Sequence, residues 1–347
     1  MGMIKIPKAS QIFFDTEYKE IFETGNLAEG KWNKILARWA RNYTGAQFST
    51  TCNSNGAGLL AILNILRSKY GKKKIFIQGN TMYGVKTTAI TSGLEFIGAV
   101  DCSLDYLMPS FEQFLDFARK LEKPSECVFL ITHIGGWVNP DIELIADYCD
   151  IHNIALLEDC AHSLGATLRE KHSGLYGLAG VYSLYATKAI PAGEGGLVVT
   201  NNEILHSQIE KYAIYDRFDQ ELDLGVNIRM SEISALLSFS VCKEIEEIIS
   251  NKHEIASQYV SACEEYNWEF IHPTSNGQRS NLYKFILKVS LGSAKERFKN
   301  IKLRTSPVYD YQLGRDVEEI GERHICLPIW YGLETEKINA VLSELAQ

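Results

Sequence analysis

The chain has no C-x-x-C pair and no cluster of histidines and cysteines at metal-ligand spacing: its eight cysteines, at positions 52, 102, 127, 149, 160, 242, 263 and 326, are scattered. That pattern excludes a zinc-ribbon or disulfide framework and suits reduced thiols on apolar faces, so no metal site is expected. No apolar run approaches the length of a membrane span, and the polar, charged N-terminus has no signal-type apolar segment. A cytoplasmic protein is predicted. A basic stripe is also missing: 43 acidic against 35 basic residues leave a net charge of −8. Nucleic acid and anionic membrane surfaces are therefore excluded as partners, and Lys72-Lys73-Lys74 reads as a solvated turn before a strand. There are no repeats, linkers or low-complexity tracts.

What is present is a long series of alternating elements. At 347 residues the chain exceeds the size at which a single core usually divides. Leu59, Ile62, Leu63, Leu66 and Tyr70 form a helical stripe that starts after Ser54-Asn55-Gly56-Ala57-Gly58 and stops at Gly71. Strands are expected at 75–77, 95–99, 127–132 and 154–158, with helices at 83–91, 110–121 and 141–152 between them. Strands alternating with helices predict an open, mostly parallel α/β sheet. The connection between strands 181–185 and 196–200 is too short for a crossover helix, so that pair is expected to be antiparallel and the sheet mixed. A long helical stretch runs from Ser231 toward Tyr266 with an interruption expected near Asn251. A strand at 281–291 and helices at 297–300 and 333–345 complete a small α+β unit. The expected division is a large α/β domain over 1–235, whose N-terminal segment packs on the small domain, and a small C-terminal domain over 236–347.

The chemistry concentrates between two strands. The apolar run 154–157 delivers Glu158-Asp159 to a strand end, and Lys188 follows the next strand in a tight connection closed by Gly193-Glu194-Gly195-Gly196. A lysine amine that condenses with an aldehyde, beside a carboxylate that keeps a pyridine nitrogen protonated, is the pair that pyridoxal phosphate (PLP) requires. Taken singly, either residue also fits a structural role, the lysine on the surface and the aspartate as a helix cap. Ser183 before the lysine, and the glycine-rich start of the early helix, both suit a phosphate, although Ser54 there also suits an ordinary N-cap.

These segments resemble a known family. Glu158-Asp159-Cys160-Ala161-His162-Ser163-Leu164-Gly165-Ala166, Tyr182-Ser183-Leu184-Tyr185-Ala186-Thr187-Lys188, Gly193-Glu194-Gly195-Gly196 and Gly225-Val226-Asn227-Ile228-Arg229-Met230-Ser231 are similar, in this order, to the motifs of the sugar aminotransferase family, often called the DegT family. Gly25-Asn26-Leu27-Ala28-Glu29-Gly30 and Cys326-Leu327-Pro328 extend the likeness over nearly the whole chain. The resemblance implies the fold-type I PLP architecture and a homodimer with shared active sites. It implies that Lys188 holds PLP, that Asp159 pairs with the pyridine nitrogen, and that Ala161 packs on one ring face. His162, where the family often has Gln, would bond near the ring hydroxyl. The phosphate would be held by the N–H groups of Gly56 and Ala57, the Ser183 hydroxyl and Asn227 of the neighbouring subunit. Arg229 is a candidate for a substrate carboxylate or for a structural ion pair, and Tyr185 and Glu194 are further candidates for substrate contact.

Some positions depart from the pattern. Ala57 stands where the family usually has Thr. The second ring face, normally covered by an aromatic side chain, meets Met82 or Tyr83. His133-Ile134-Gly135-Gly136-Trp137 and residues 306–311 differ from common sugar-enzyme patterns and would shape the acceptor pocket. The activity implied is ping-pong transfer of an amino group, from L-glutamate, to a keto group of a nucleotide-linked deoxysugar used in surface-glycan assembly, with Lys188 moving the α-proton. Alternatives are a small phosphorylated ketone as acceptor, a dehydratase of the same fold, and a non-catalytic binding protein. Related dehydratases replace the lysine by histidine, which Lys188 argues against.

Overall fold

A computed structural model describes residues 5–215, 223–309 and 318–347. Helices α1 (Lys8–Thr24) and α2 (Lys31–Thr44) lead into strand β1 (Phe48–Cys52) and helix α3 (Asn55–Lys69). Then come β2 (Lys74–Gln78), α4 (Tyr83–Thr91), β3 (Glu95–Val100), α5 (Phe111–Ala118), β4 (Cys127–Thr132), α6 (Ile142–Ile151) and β5 (Ala155–Cys160). A small hairpin of β6 (Thr167–Leu168) and β7 (Lys171–His172) precedes β8 (Ala179–Ser183), β9 (Gly196–Thr200) and α7 (Glu203–Ala213). Beyond these lie α8 (Glu232–Cys242), α9 (Ile245–Glu265), β10 (Gln278–Arg279), β11 (Phe285–Lys288), α10 (Ala294–Arg297), α11 (Glu318–Arg323), β12 (His324–Leu327) and α12 (Thr335–Leu345).

The central sheet has the order β1-β9-β8-β5-β4-β2-β3. The five strands from β8 to β3 are parallel, and β9 runs antiparallel between β8 and β1. It is therefore mixed and mostly parallel, as expected. One face packs Leu59, Ile62 and Leu66 of α3 against Ile77, Leu130, Leu157 and Val181. The other packs Phe114 of α5 and Ile145 of α6 against Phe76 and Phe129. Both helix layers follow from apolar stripes of helical period meeting strands buried on both faces.

Relative to the expected division at 235/236, the apolar side chains of α8 and of the first turn of α9 (Ala235, Leu236, Val241, Ile245, Ile249) share a core with α2 and with Tyr182, Leu184 and Leu197. Helix α1 joins the same core through Phe13, which meets Trp32 and Phe239 edge-on. A separate core starts at Ile255 and runs through Tyr259, Phe285, Leu327 and Val341 to Leu345. No helix among the described residues is long and apolar enough to cross a membrane.

Three local expectations are corrected. The interruption after Ser231 falls at Lys243–Glu244, where Glu244 has φ −99° and ψ 17°, and not at Asn251. Asn251 stays helical because its Oδ1 is engaged outside the helix by the Gly332 N–H at 2.8 Å, so it does not compete for the helix backbone. The strand expected over 281–291 shrinks to Phe285–Lys288, since Asn281 and Lys284 donate their N–H groups to Gly136 and Gly135. The helix expected at 297–300 lies earlier, at Ala294–Arg297.

Two glycines bring the start of α3 onto the sheet. A Cβ at Gly58 would lie 2.8 Å from Val181 Cγ1 and 3.1 Å from Cys52 Sγ and Val198 Cγ2, and one at Gly196 would lie 2.7 Å from the Ser54 backbone. Gly58→Ala is expected to destabilise the protein by about 1–3 kcal/mol through this overpacking. The check is urea unfolding, where the midpoint falls and the slope is unchanged.

Candidate active site

The carboxyl ends of β4, β5 and β8 stand in register, with Thr132 beside Asp159 and Asp159 beside Val181. Ligands of open α/β sheets gather at this edge. Asp159 is only 2% exposed. Its Oδ1 accepts from Asn55 Nδ2 at 2.9 Å and from the Ala161 N–H at 3.0 Å, whereas Oδ2 has a single long contact, 3.4 Å from Thr132 Oγ1. Asn55 Nδ2 also reaches the Val181 carbonyl at 2.7 Å, which ties the first residue of α3 to two strand ends. Burial raises the Asp159 pKa, opposed by the Ala161 and Asn55 hydrogen bonds and by the nearby Lys188 charge.

Lys188 sits in the β8–β9 connection, whose shape is set by Lys188 N–H to Tyr185 O and Ala186 N–H to Gly193 O, both 2.9 Å. Burial lowers its pKa, and Asp159 opposes that shift. Ser183 ends β8, is buried, and accepts the Tyr185 N–H at 3.3 Å. Across the edge, Ser54 caps α3 and accepts the Ala57 N–H at 3.2 Å. The cap is therefore made and engages the Ala57 N–H that was expected to face a phosphate, whereas the Gly56 N–H has no acceptor within the helix.

His162 is buried. Its Nδ1 accepts the Gly135 N–H at 3.3 Å, so the ring proton belongs on Nε2, which faces the Tyr309 hydroxyl at 3.0 Å. Burial, with Lys188 and Lys284 adding to it, holds His162 well below the usual histidine range, so the imidazole is neutral. Tyr283 stacks on it with centroids 4.2 Å apart, and the Lys188 ammonium lies 5.4 Å from the same Tyr283 ring. The glycines of the 133–137 segment make this possible. Gly136 has φ +105°, and a Cβ there would lie 2.3 Å from Asn281 Oδ1. Asn281 Nδ2 in turn donates to the carbonyls of His162 and Leu164 at 2.8 Å each, which draws the Tyr283 segment over the histidine.

The structure thus brings together Asp159, Ala161, His162, Ser183, Lys188 and the start of α3. Other expected site residues are more exposed or line a different cavity. Met82 and Tyr83, at the start of α4, are 44% and 55% exposed. Tyr185 and Glu194 are exposed on the β8–β9 connection. Asn227 is exposed, with its Oδ1 accepting the Arg229 N–H at 3.1 Å. Arg229 does not line the Lys188 cavity of its own chain: it donates to the Ala213 carbonyl at 2.9 Å and lines a separate cavity of about 610 Å³ between α2, β1 and α7. Within 306–311, residues 310 and 311 lie outside the described residues.

Asn55, Thr132, Tyr283 and Asn281 complete the site without having been singled out in the sequence. For Asn55 a signal existed, in its place at the first position of the glycine-rich helix start. One potential metal set, His133, Glu158 and Cys160, has ligand atoms within 4.8 Å of one another. Glu158 is already engaged there. It accepts the N–H groups of Gly174, Tyr176 and Gly177 at 2.6–2.7 Å and pairs with His133 Nε2 at 2.8 Å, a set that fixes the 174–177 turn.

The arrangement fits PLP. Asp159 Oδ2 is a buried carboxylate oxygen whose single contact is long, so it lacks the strong donor that a protonated pyridine nitrogen would provide, and such groups are costly when left unpaired. Lys188 supplies an amine on the neighbouring connection.

Comparison with known proteins agrees with this chemistry. The DegT/DnrJ/EryC1/StrS aminotransferase family matches residues 10–346. The UDP-4-amino-4,6-dideoxy-N-acetyl-beta-L-altrosamine transaminase of Helicobacter pylori is 23% identical over 351 residues, covering 93% of this chain and 91% of that protein. A GDP-perosamine synthase of Vibrio cholerae is 31% identical over 167 residues, 47% of this chain and 44% of its own length. Among solved structures, the aminotransferase TlmJ of Streptoalloteichus hindustanus shares the fold with a TM-score of 0.84 at 19% identity, covering 99% of this chain and 97% of that one. The Helicobacter pylori aminotransferase PseC does so with a TM-score of 0.83 at 18% identity and the same coverage. With the match spanning nearly every residue, this chain belongs to the DegT/DnrJ/EryC1/StrS aminotransferase family and is a PLP-dependent aminotransferase.

Proposed function

We propose that this enzyme moves an amino group from L-glutamate to the keto group of a nucleotide-linked deoxysugar for surface-glycan synthesis, and that it does so in the cytoplasm as a homodimer with shared active sites. Support for the acceptor comes from the relatives, one named as a transaminase of a UDP-linked amino sugar and another as a synthase of GDP-perosamine. The observation that carries the chemistry is the buried Asp159 carboxylate at the strand edge, with an open oxygen and Lys188 close enough to influence its ionisation.

In this reading Lys188 would tether PLP and Asp159 would hold the proton on its ring nitrogen. Ala161 and either Met82 or Tyr83 would flank the ring, with His162 near its hydroxyl. Gly56, Ala57 and Ser183 would hold the phosphate, completed by Asn227 from the second subunit. PLP, when bound, supplies an aldehyde that condenses with amines and a ring that accepts electron density. The Lys188 amine would take the proton from the donor Cα and deliver it to the former aldehyde carbon within the same half-reaction, and would move a proton the opposite way for the acceptor. Burial lowers its pKa, which favours the neutral amine that a base requires. The neutral His162 offers Nε2–H as a donor without adding charge.

Lys188→Ala is expected to lower transamination by about three orders of magnitude or more while cofactor still binds through its phosphate contacts. Steady-state assay against a panel of keto-sugar nucleotides with glutamate is the check, and near wild-type turnover would reject the assignment.

Asp159 yields a pH prediction. Its folded pKa is raised, so in cofactor-free protein its contribution to stability is present below the unfolded pKa and is lost as pH rises through the folded value. Cofactor-free Asp159→Asn should therefore melt no lower than wild type near neutral pH, yet remove the substrate α-proton more slowly once loaded. A lower melting temperature across pH 5–8 would contradict the first part, and equal rates of proton removal the second.

The shared site is tested by co-refolding Lys188→Ala with Asn227→Asp chains. If Asn227 acts across the dimer, about a quarter of all sites in a random mixture carry both native groups. Activity should then appear in the mixture alone. A mixture as inactive as its components, with hybrid dimers confirmed by mass, would rule out the arrangement.

A further inference from the structure

Beside Lys188 lies a cavity of about 340 Å³ between the β8–β9 connection and the C-terminal core. Lys5, Lys188, Lys252 and Lys284 line it, and no acidic residue does so among the described residues. Three of the four lysines have partners or an assigned task. Lys5 pairs with Glu334 at 3.0 Å, Lys284 donates to Thr305 Oγ1 and Ser306 O at 3.4 and 3.2 Å, and Lys188 is the proposed tether. Lys252, on α9, is 2% exposed and has no hydrogen bond or ion pair among the described residues. The contrast with Lys72 is direct. That buried lysine has two carbonyl acceptors, Ser125 and Asn153, at 2.7 and 2.6 Å.

A buried ammonium without a partner is costly unless an anion completes it. Tyr283 links this wall to the reacting end, since its ring centroid lies 5.4 Å from both Lys188 and Lys284. We propose that Lys252, with Lys284 beside it, binds the side-chain carboxylate of a dicarboxylic amino donor. The volume of about 340 Å³ is sufficient for an amino-acid-sized donor, since small-molecule sites start at about 300 Å³. Burial holds the Lys252 amine down to about 7, and a carboxylate beside it would restore the charged form. The inference rests on the proposed function, with Lys188 as the reacting lysine and glutamate as the donor.

The test uses PLP-loaded wild type, Lys252→Met and Lys284→Met. Binding of the unreactive dicarboxylate glutarate is compared with butyrate by calorimetry, and the half-reaction with L-glutamate is compared with L-glutamine. Lys252→Met should raise the glutarate Kd and the glutamate KM at least about tenfold, the loss falling on KM more than on kcat, with butyrate and glutamine far less affected. Lys284→Met should act in the same direction. Equal losses for charged and uncharged ligands, or no loss in either variant, would overturn the assignment. Circular dichroism and the visible absorbance of the lysine-linked cofactor monitor folding and the tether. Should Lys252→Met fail to fold, Lys284→Met and glutarate binding to wild type decide the matter. A wild type that ignores glutamate but uses another donor overturns the donor reading, whereas a wild type that uses glutamate beside unaffected variants overturns only the lysine assignment.

Discussion

A carboxylate buried at the end of a central strand must be surrounded by donors, and meeting that need for Asp159 organises the active-site edge of this molecule. The donors come from three places in the chain: Asn55 from the start of α3, Thr132 from the neighbouring strand, and the Ala161 N–H from the turn that follows. Each depends on something further. Asn55 reaches Asp159 because Gly58 and Gly196 let α3 close onto the strands, and Thr132 does so because parallel β4 and β5 pair in that register. The start of α3, the ends of β4 and β5, and the loop bearing Lys188 thus form one connected unit. A disturbance in any of them is felt at the carboxylate.

Much of this was legible in the sequence because it is local. Apolar periodicity located α3, α4, α6 and the inner strands, and the short Lys188 connection predicted the antiparallel turn back through β9. The proximity of Asp159 and Lys188 was readable because Asp159 lies at the end of β5 and Lys188 in the connection that follows the adjacent strand β8. Helices α1 and α2 were not seen. In α1 the apolar side chains Ile12 and Phe22 are 57% and 68% exposed, so its face toward the core is not the only apolar one. The helix break at Lys243–Glu244 carries no proline or glycine to mark it.

What the sequence could not reveal is contact over long separations. Tyr283 stacks on His162, 121 positions away, because Gly135 and Gly136 hydrogen-bond with the 280–284 segment in place of a strand. No periodicity encodes that. The same is true of Lys252, which reads as one more cation on an amphipathic helix until its burial beside Lys188 and Lys284 is known. The position of Arg229 was not legible either: within its own chain it lines a cavity between α2, β1 and α7.

The lysines around the site make one measurement especially direct. Borohydride reduction of the PLP-loaded enzyme, followed by proteolysis and peptide mass spectrometry, fixes the cofactor to whichever amine carries it. The account predicts a pyridoxyl adduct on the peptide containing Lys188 and on no other. An adduct on Lys252 or Lys284 instead, or a reducible cofactor with no adduct at Lys188, would contradict it.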